Sequence, residues 1–125
     1  MTMRTLAAAA IVLAASGCQT WGPTWSEVTG VRYNRAIADR WGARIVAVGT
    51  DSVFAVPYKV VPGTYTLAVE SPRHSGFAGT IQDMKLTIEP CKRYYINAQF
   101  QDPVRPEWTP VVDEVEPIVG CRVTG

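Results

Sequence analysis

The chain is poor in the residues from which reaction centres are built. Its 125 residues include one histidine, His74, and three cysteines, Cys18, Cys91 and Cys121, with no CxxC spacing among them. A lone histidine excludes the common multi-histidine metal sites. The adjacent Ser75 makes no triad with it, since a triad is defined by geometry and needs an orienting acid as well. Net charge is scarce too: 12 basic against 11 acidic side chains leave +1. Nucleic-acid binding calls for a concentrated basic face and anionic-lipid recognition for a cluster of about four to eight Lys/Arg, whereas the densest basic pair is Lys92 with Arg93. Gly76 and Gly79 do not open a helix behind a strand, as a phosphate loop requires. No recognisable catalytic motif is present, so a non-catalytic protein is expected, with no cofactor, no metal and no nucleic-acid partner.

Long apolar runs are absent except one, Leu6 to Ala15, which follows Arg4 and precedes the small residues Ser16 and Gly17. As a helix this run rises about 15 Å, half of the roughly 30 Å hydrocarbon core of a bilayer. It is too short for a permanent span and has the charged, apolar and small-residue regions of a secretory signal. The run closes on "LAASGC", and "ASGC" resembles the lipobox of bacterial lipoproteins, with Ala15 where that family most often has Leu. The resemblance implies that Cys18 is lipidated and becomes the first residue after cleavage of a signal peptide at 1–17. The alternative is ordinary cleavage near Ala15 to Gly17 with a free thiol at Cys18. Two or three acyl chains would anchor the protein to the membrane durably, since each buried methylene contributes about 0.8 kcal/mol. Gln19 differs from the Asp that resembles an inner-membrane retention signal, which points to the outer membrane, facing the periplasm. With Cys18 lipidated, Cys91 and Cys121 are left as a pair, and a disulfide is their expected state in an oxidising compartment. The alternative for Cys91 is a reactive thiolate favoured by Lys92 and Arg93.

Removing residues 1–17 takes Arg4 and no acid, leaving basic and acidic side chains equal in number. Residues 18–125 are a common size for one domain. "QTWGPTWSE", with Gly22 and Pro23, reads as the lipidated N-terminus and tether at 18–27, with Trp21 and Trp25 either at the membrane headgroups or packed on the domain at 28–125.

That domain has the period of strands. Tyr65, Leu67 and Val69 alternate with polar or small residues, as do Met84, Leu86 and Ile88, and Tyr94, Ile96, Ala98 and Phe100, so each set lies on one face of a strand. Further strands are expected at 28–34, 44–48, 53–61 and 108–115, where β-branched and aromatic residues gather, with a helical turn at 35–41. Turn chemistry separates them at "GTDS", "PG", "SPRHSG" and "DPVRPE". Short strands at this spacing predict an all-β fold, a single small β-sandwich of Greek-key, transthyretin-like or Ig-like kind. The runs "VVPGTYTLAVE" and "LTIEPCKRYYINAQF" resemble small periplasmic β-sandwich lipoproteins and PEGA-like or transthyretin-like modules, over about residues 44–100. Their turn and core residues imply fold far more than activity; Cys91 stands where the typical hairpin glycine would be.

Two surfaces are left to consider for function. "DEVE", Asp113 to Glu116, is too strand-like for a calcium loop and reads as a charged edge, with Glu114 and Glu116 on one face and Asp113 and Val115 on the other. The polar face of "YYINAQFQ" aligns Tyr95, Asn97, Gln99 and Gln101, three amides and an aromatic ring without a charge. Such a row can hydrogen-bond hydroxyls and stack on a sugar, or simply face water and its cross-strand neighbours. His74 is expected as a solvated loop residue. The expected function is that of a membrane-anchored, non-catalytic structural or interaction module of the cell envelope with an envelope protein as partner. The alternative is a glycan-binding module whose ligand is peptidoglycan.

Overall fold

A computed structural model describes residues 24–123, which form a β-sandwich of two sheets with no helix among them. The strands are β1 (Ser26–Thr29), β2 (Arg40–Gly42), β3 (Arg44–Val48), β4 (Asp51–Ser52), β5 (Tyr58–Val60), β6 (Gly63–Glu70), β7 (Ile81–Ile88), β8 (Lys92–Phe100) and β9 (Trp108–Pro117). One sheet is β4-β3-β6-β7, antiparallel throughout. The other is built around β8. On one side β9 pairs with it antiparallel over its whole length, and its other side is shared by β1, parallel to Arg93–Tyr95, and β2, antiparallel to Asn97–Gln99. β5 closes that sheet against β1.

The core follows the alternation. Leu67 and Val69 of β6, Ile88 of β7, and Tyr94, Ile96, Ala98 and Phe100 of β8 are buried together with Val28, Ile45, Val48, Val60 and Trp108, with Tyr65, Met84 and Leu86 packed against them. Successive strand side chains point to opposite faces, so apolar residues two apart suffice to define the buried face.

Four expectations are corrected by long-range contacts. The strand expected at 28–34 begins at Ser26 and stops at Thr29, so Ser26 and Glu27 belong to the sheet rather than to a tether. It stops because Gly30 lies so close to the Ala43 backbone that a Cβ would stand 1.9 Å from the Ala43 oxygen. The segment at 35–41 makes turns, with the Asn34 side chain accepting from the Ala36 amide, and then β2, because β8 offers an open edge there. The run 53–61 is split: its first half crosses from one sheet to the other, and Pro57, without an N–H, precedes the short β5. Finally, β9 carries a bulge between its pairings with Tyr95 and Ile96, which leaves Asp113 as the extra residue.

The turns have the expected chemistry. Ser75 and Gly76 both have positive φ (51° and 86°) between the paired His74 and Phe77, the conformation of a type I′ hairpin. The Asp102 carboxylate accepts from the Val104 and Arg105 amides at 2.9 and 2.8 Å. These bonds, the Val104 one foremost, hold its carboxyl below the usual carboxylate range.

Cys91 and Cys121 form a disulfide with Cα atoms 5.4 Å apart. Cys91 sits in the left-handed region (φ 59°), where glycine is favoured. Its amide donates to Trp25 O and its carbonyl accepts from Ile118 N, both at 3.0 Å. The bond therefore ties the turn before β8 to the start of β1 and to the chain leaving β9. Trp25 packs on the domain, with Lys59 Nζ 5.0 Å from its ring centre and its indole N–H donating to Glu27. Cys18 and Trp21 lie outside the described residues.

Candidate functional site

The outward face of β8 is where the sequence placed its uncharged row, and the structure gives that row internal work. Residues 30–40 lie over it. Asn97 is fully buried, its Nδ2 donating to the carbonyls of Arg32 and Ile96 at 2.9 Å each. Because both neighbours are acceptors, the amide nitrogen must face them; Oδ1 has no protein partner. Gln99 donates to Ala38 O at 2.8 Å and accepts from Arg40 Nε at 3.0 Å. Tyr95 is 7% exposed, with the Arg32 guanidinium 4.0 Å above its ring and its hydroxyl donating to Glu116 at 2.5 Å. Only Gln101 is exposed. The row expected to stand open for a sugar is thus covered, because the segment after β1 finds in these amides the partners its own backbone carbonyls need.

Around the row runs a chain of ion pairs that sequence reading missed. Glu27, Arg93 and Glu116 are directly opposite one another on β1, β8 and β9, and Arg93 bridges the two acids at 2.7 Å on each side. Hydrogen bonds from Arg93 to Glu27 and then Glu116 push the guanidinium pKa up further. Burial, then the bond to Glu116, raises that of Tyr95. The Tyr95 hydroxyl and Arg93 together hold the Glu116 carboxyl below its ordinary value. Arg32 pairs with Glu114 and, at 3.3 Å, with Glu116. The bulge turns Asp113 to this same face, against the sequence expectation, where it meets Arg40 at 2.8 Å. The acids of "DEVE" are therefore each held by an arginine. Among the described residues no three His, Cys, Asp or Glu side chains come together as metal ligands. The signal available in the sequence was the opposite charge of Glu27, Arg93 and Glu116, legible only once the strand register is known.

His74 also has a structural partner instead of open solvent. Its ring stacks on Phe100 with centroids 3.8 Å apart, and Nε2 lies 3.0 Å from Asp102 O. It fastens the β6–β7 connection to the end of β8.

The surface left unengaged is apolar. Gly30, Val31, Gly42, Ala43, Ile45 and Pro72 line a cleft of about 500 Å³, joined by Val56 from the connection between the sheets. Phe54, on that same connection, is 95% exposed beside it, and Val31 is 72% exposed. At the rim Arg44 Nε donates to Glu70 at 2.8 Å, so both charges have partners. The opening lies where Gly30 and Gly42 bring two backbones into contact, a Cβ on Gly42 standing 2.7 Å from the Gly30 oxygen. The cleft lies at the end of β1 remote from Trp25 and the disulfide. Comparison of the chain with protein-family models, curated proteins and solved structures finds no match.

Proposed function

We propose that the protein is a membrane-anchored lipoprotein of the bacterial cell envelope, lipidated at Cys18, whose β-sandwich is a non-catalytic interaction module. The apolar cleft at Gly30, Gly42, Ile45 and Pro72 receives a short apolar segment of another envelope protein. The observation that carries this reading is the cleft beside the exposed Phe54. Its size is that of a pocket for a few side chains, and apolar surface removed from water contributes about 25 cal/mol per Å². The rim charges satisfy each other, so an ionic ligand finds no unpaired group, whereas an apolar segment needs none. "ASGC" supports the anchor. The described chain enters β1 from Thr24, at the end opposite the cleft. The glycan alternative has lost its open row of amides, and no other observation favours it.

Two experiments test the reading separately. Cys18→Ala should move the protein out of the membrane fraction; retention there refutes the anchor. For the cleft, a photocrosslinking residue is placed at Phe54 or Val56 in the native envelope, with the exposed Val119, beside the disulfide, as control. The crosslinked protein is then purified and titrated against the Val56→Asp variant. Crosslinks confined to the cleft, with affinity lowered at least about tenfold and thermal stability unchanged, support it. Equal crosslinking at Val119, or affinity untouched by Val56→Asp, overturns it.

A further inference from the structure

The sandwich has two long edges that are treated very differently. β9 is broken as a pairing template by Pro110 and Pro117, which lack an N–H, and by the bulge at Asp113. β7 has none of these devices. It is eight residues long, free of proline, paired to β6 at every position without a register shift, and it is the outermost strand of its sheet. An uninterrupted edge of this kind is a template for a further strand.

The side chains of β7 say which strand fits. Ile81, Asp83, Lys85 and Thr87 stand exposed on the outer face, and Met84, Leu86 and Ile88 turn inward. When a second copy of β7 pairs antiparallel about a two-fold axis, directly opposite residues lie on the same face. A two-fold at Asp83 sets Asp83 against its own copy, and one at Lys85 sets lysine against lysine, each repulsive. A two-fold at Met84 sets Asp83 opposite Lys85 and Lys85 opposite Asp83, with Ile81 opposite Thr87, and so pairs β7 from Ile81 through Thr87. The edge is self-complementary in that one register.

We propose that β7 is a self-association edge: two copies of the chain pair antiparallel about Met84, joining the two four-stranded sheets into one and forming two Asp83–Lys85 pairs across the axis. The interface is isologous, as a two-fold dimer requires, and no residue of β7 lines the apolar cleft.

The test is register-specific. In the full chain exported to the envelope, Ile81→Cys together with Thr87→Cys places cysteines directly opposite across the axis, with Cα atoms about 4.5–5.5 Å apart, within the range a disulfide spans. Non-reducing electrophoresis should show a covalent dimer for this pair and none for Ile81→Cys alone, whose copies lie about six residues apart along the edge. Sedimentation of the purified chain should show dimerisation weakened at least about tenfold by Asp83→Lys and restored by adding Lys85→Asp, at unchanged monomer stability. A chain that stays monomeric throughout, a dimer indifferent to Asp83→Lys, or crosslinking by Ile81→Cys alone overturns the proposal. None of these outcomes bears on the cleft, so either proposal can fail without the other.

Discussion

Removing the Cys91–Cys121 bond tests the fold argument at one place with two independent magnitudes. The cysteines are 30 residues apart, and closing a loop of that length lowers the entropy of the unfolded chain by an amount worth about 3.6 kcal/mol at 25 °C. The native contacts around the bond survive its loss in part, because Cys91 N to Trp25 O and Ile118 N to Cys91 O are backbone interactions. Cys91→Ala with Cys121→Ala should therefore unfold about 3–4 kcal/mol more easily in urea and melt about 15–25 °C lower. The second magnitude is local. Cys91 has φ 59°, where a side chain with a Cβ costs about 1–2 kcal/mol and glycine does not. Cys91→Gly with Cys121→Ala should consequently be about 1 kcal/mol more stable than the double alanine variant. Chemical unfolding followed by circular dichroism measures both. A loss below about 1 kcal/mol for the double alanine variant would refute closure of the loop in the native protein, and a glycine variant no better than the alanine one would refute the left-handed turn.

Three further outcomes follow from the packing. Arg93→Met strips the cation from Glu27, which is almost buried, and from Glu116, and should destabilise by about 2 kcal/mol; Arg93→Lys, unable to bond two acids in one plane, should recover only part of it in the same denaturation assay. Glu116 has its folded pKa depressed, so its contribution is present above the ordinary carboxylate pKa and lost as pH falls through the folded value. Thermal melts from about pH 7 to about pH 3 should thus fall less steeply for Glu116→Gln than for the native chain, and identical slopes would contradict the linkage. Gly30→Ala would put a Cβ 1.9 Å from the Ala43 oxygen, which backbone movement alone relieves, at about 3 kcal/mol; proton chemical shifts of Tyr33 in the covering segment and Trp41 in β2, whose rings lie 5.7 Å apart, should move with it.

Strand existence and facing were legible because they are local. Alternation at Leu67 and Val69, at Met84, Leu86 and Ile88, and at Tyr94 through Phe100 specifies which side of each strand leaves water, whatever the neighbouring strands are. The expected pairing of Cys91 with Cys121 rested on setting Cys18 aside through the resemblance of "ASGC" to a lipobox. The same period-two rule placed Tyr95, Asn97, Gln99 and Gln101 on the face of β8 opposite its buried set, and stopped there.

What covers that face was decided by contacts between residues far apart in the chain. The short β1 and the backbone contact of Gly30 with Ala43 turn residues 30–40 back over β8, converting an apparent ligand platform into a hydrogen-bonded interior. The bulge that brings Asp113 to Arg40, the rung of Glu27, Arg93 and Glu116, and the parallel pairing of β1 with β8 all depend on strand register. So does the cleft, which exists where two glycine backbones meet. Sequence periodicity reports on which face of a strand is apolar, a property of a few neighbouring residues. Register, bulges and coverage are set by the joint packing of strands whose paired residues lie up to 66 positions apart, and only the tertiary structure expresses that.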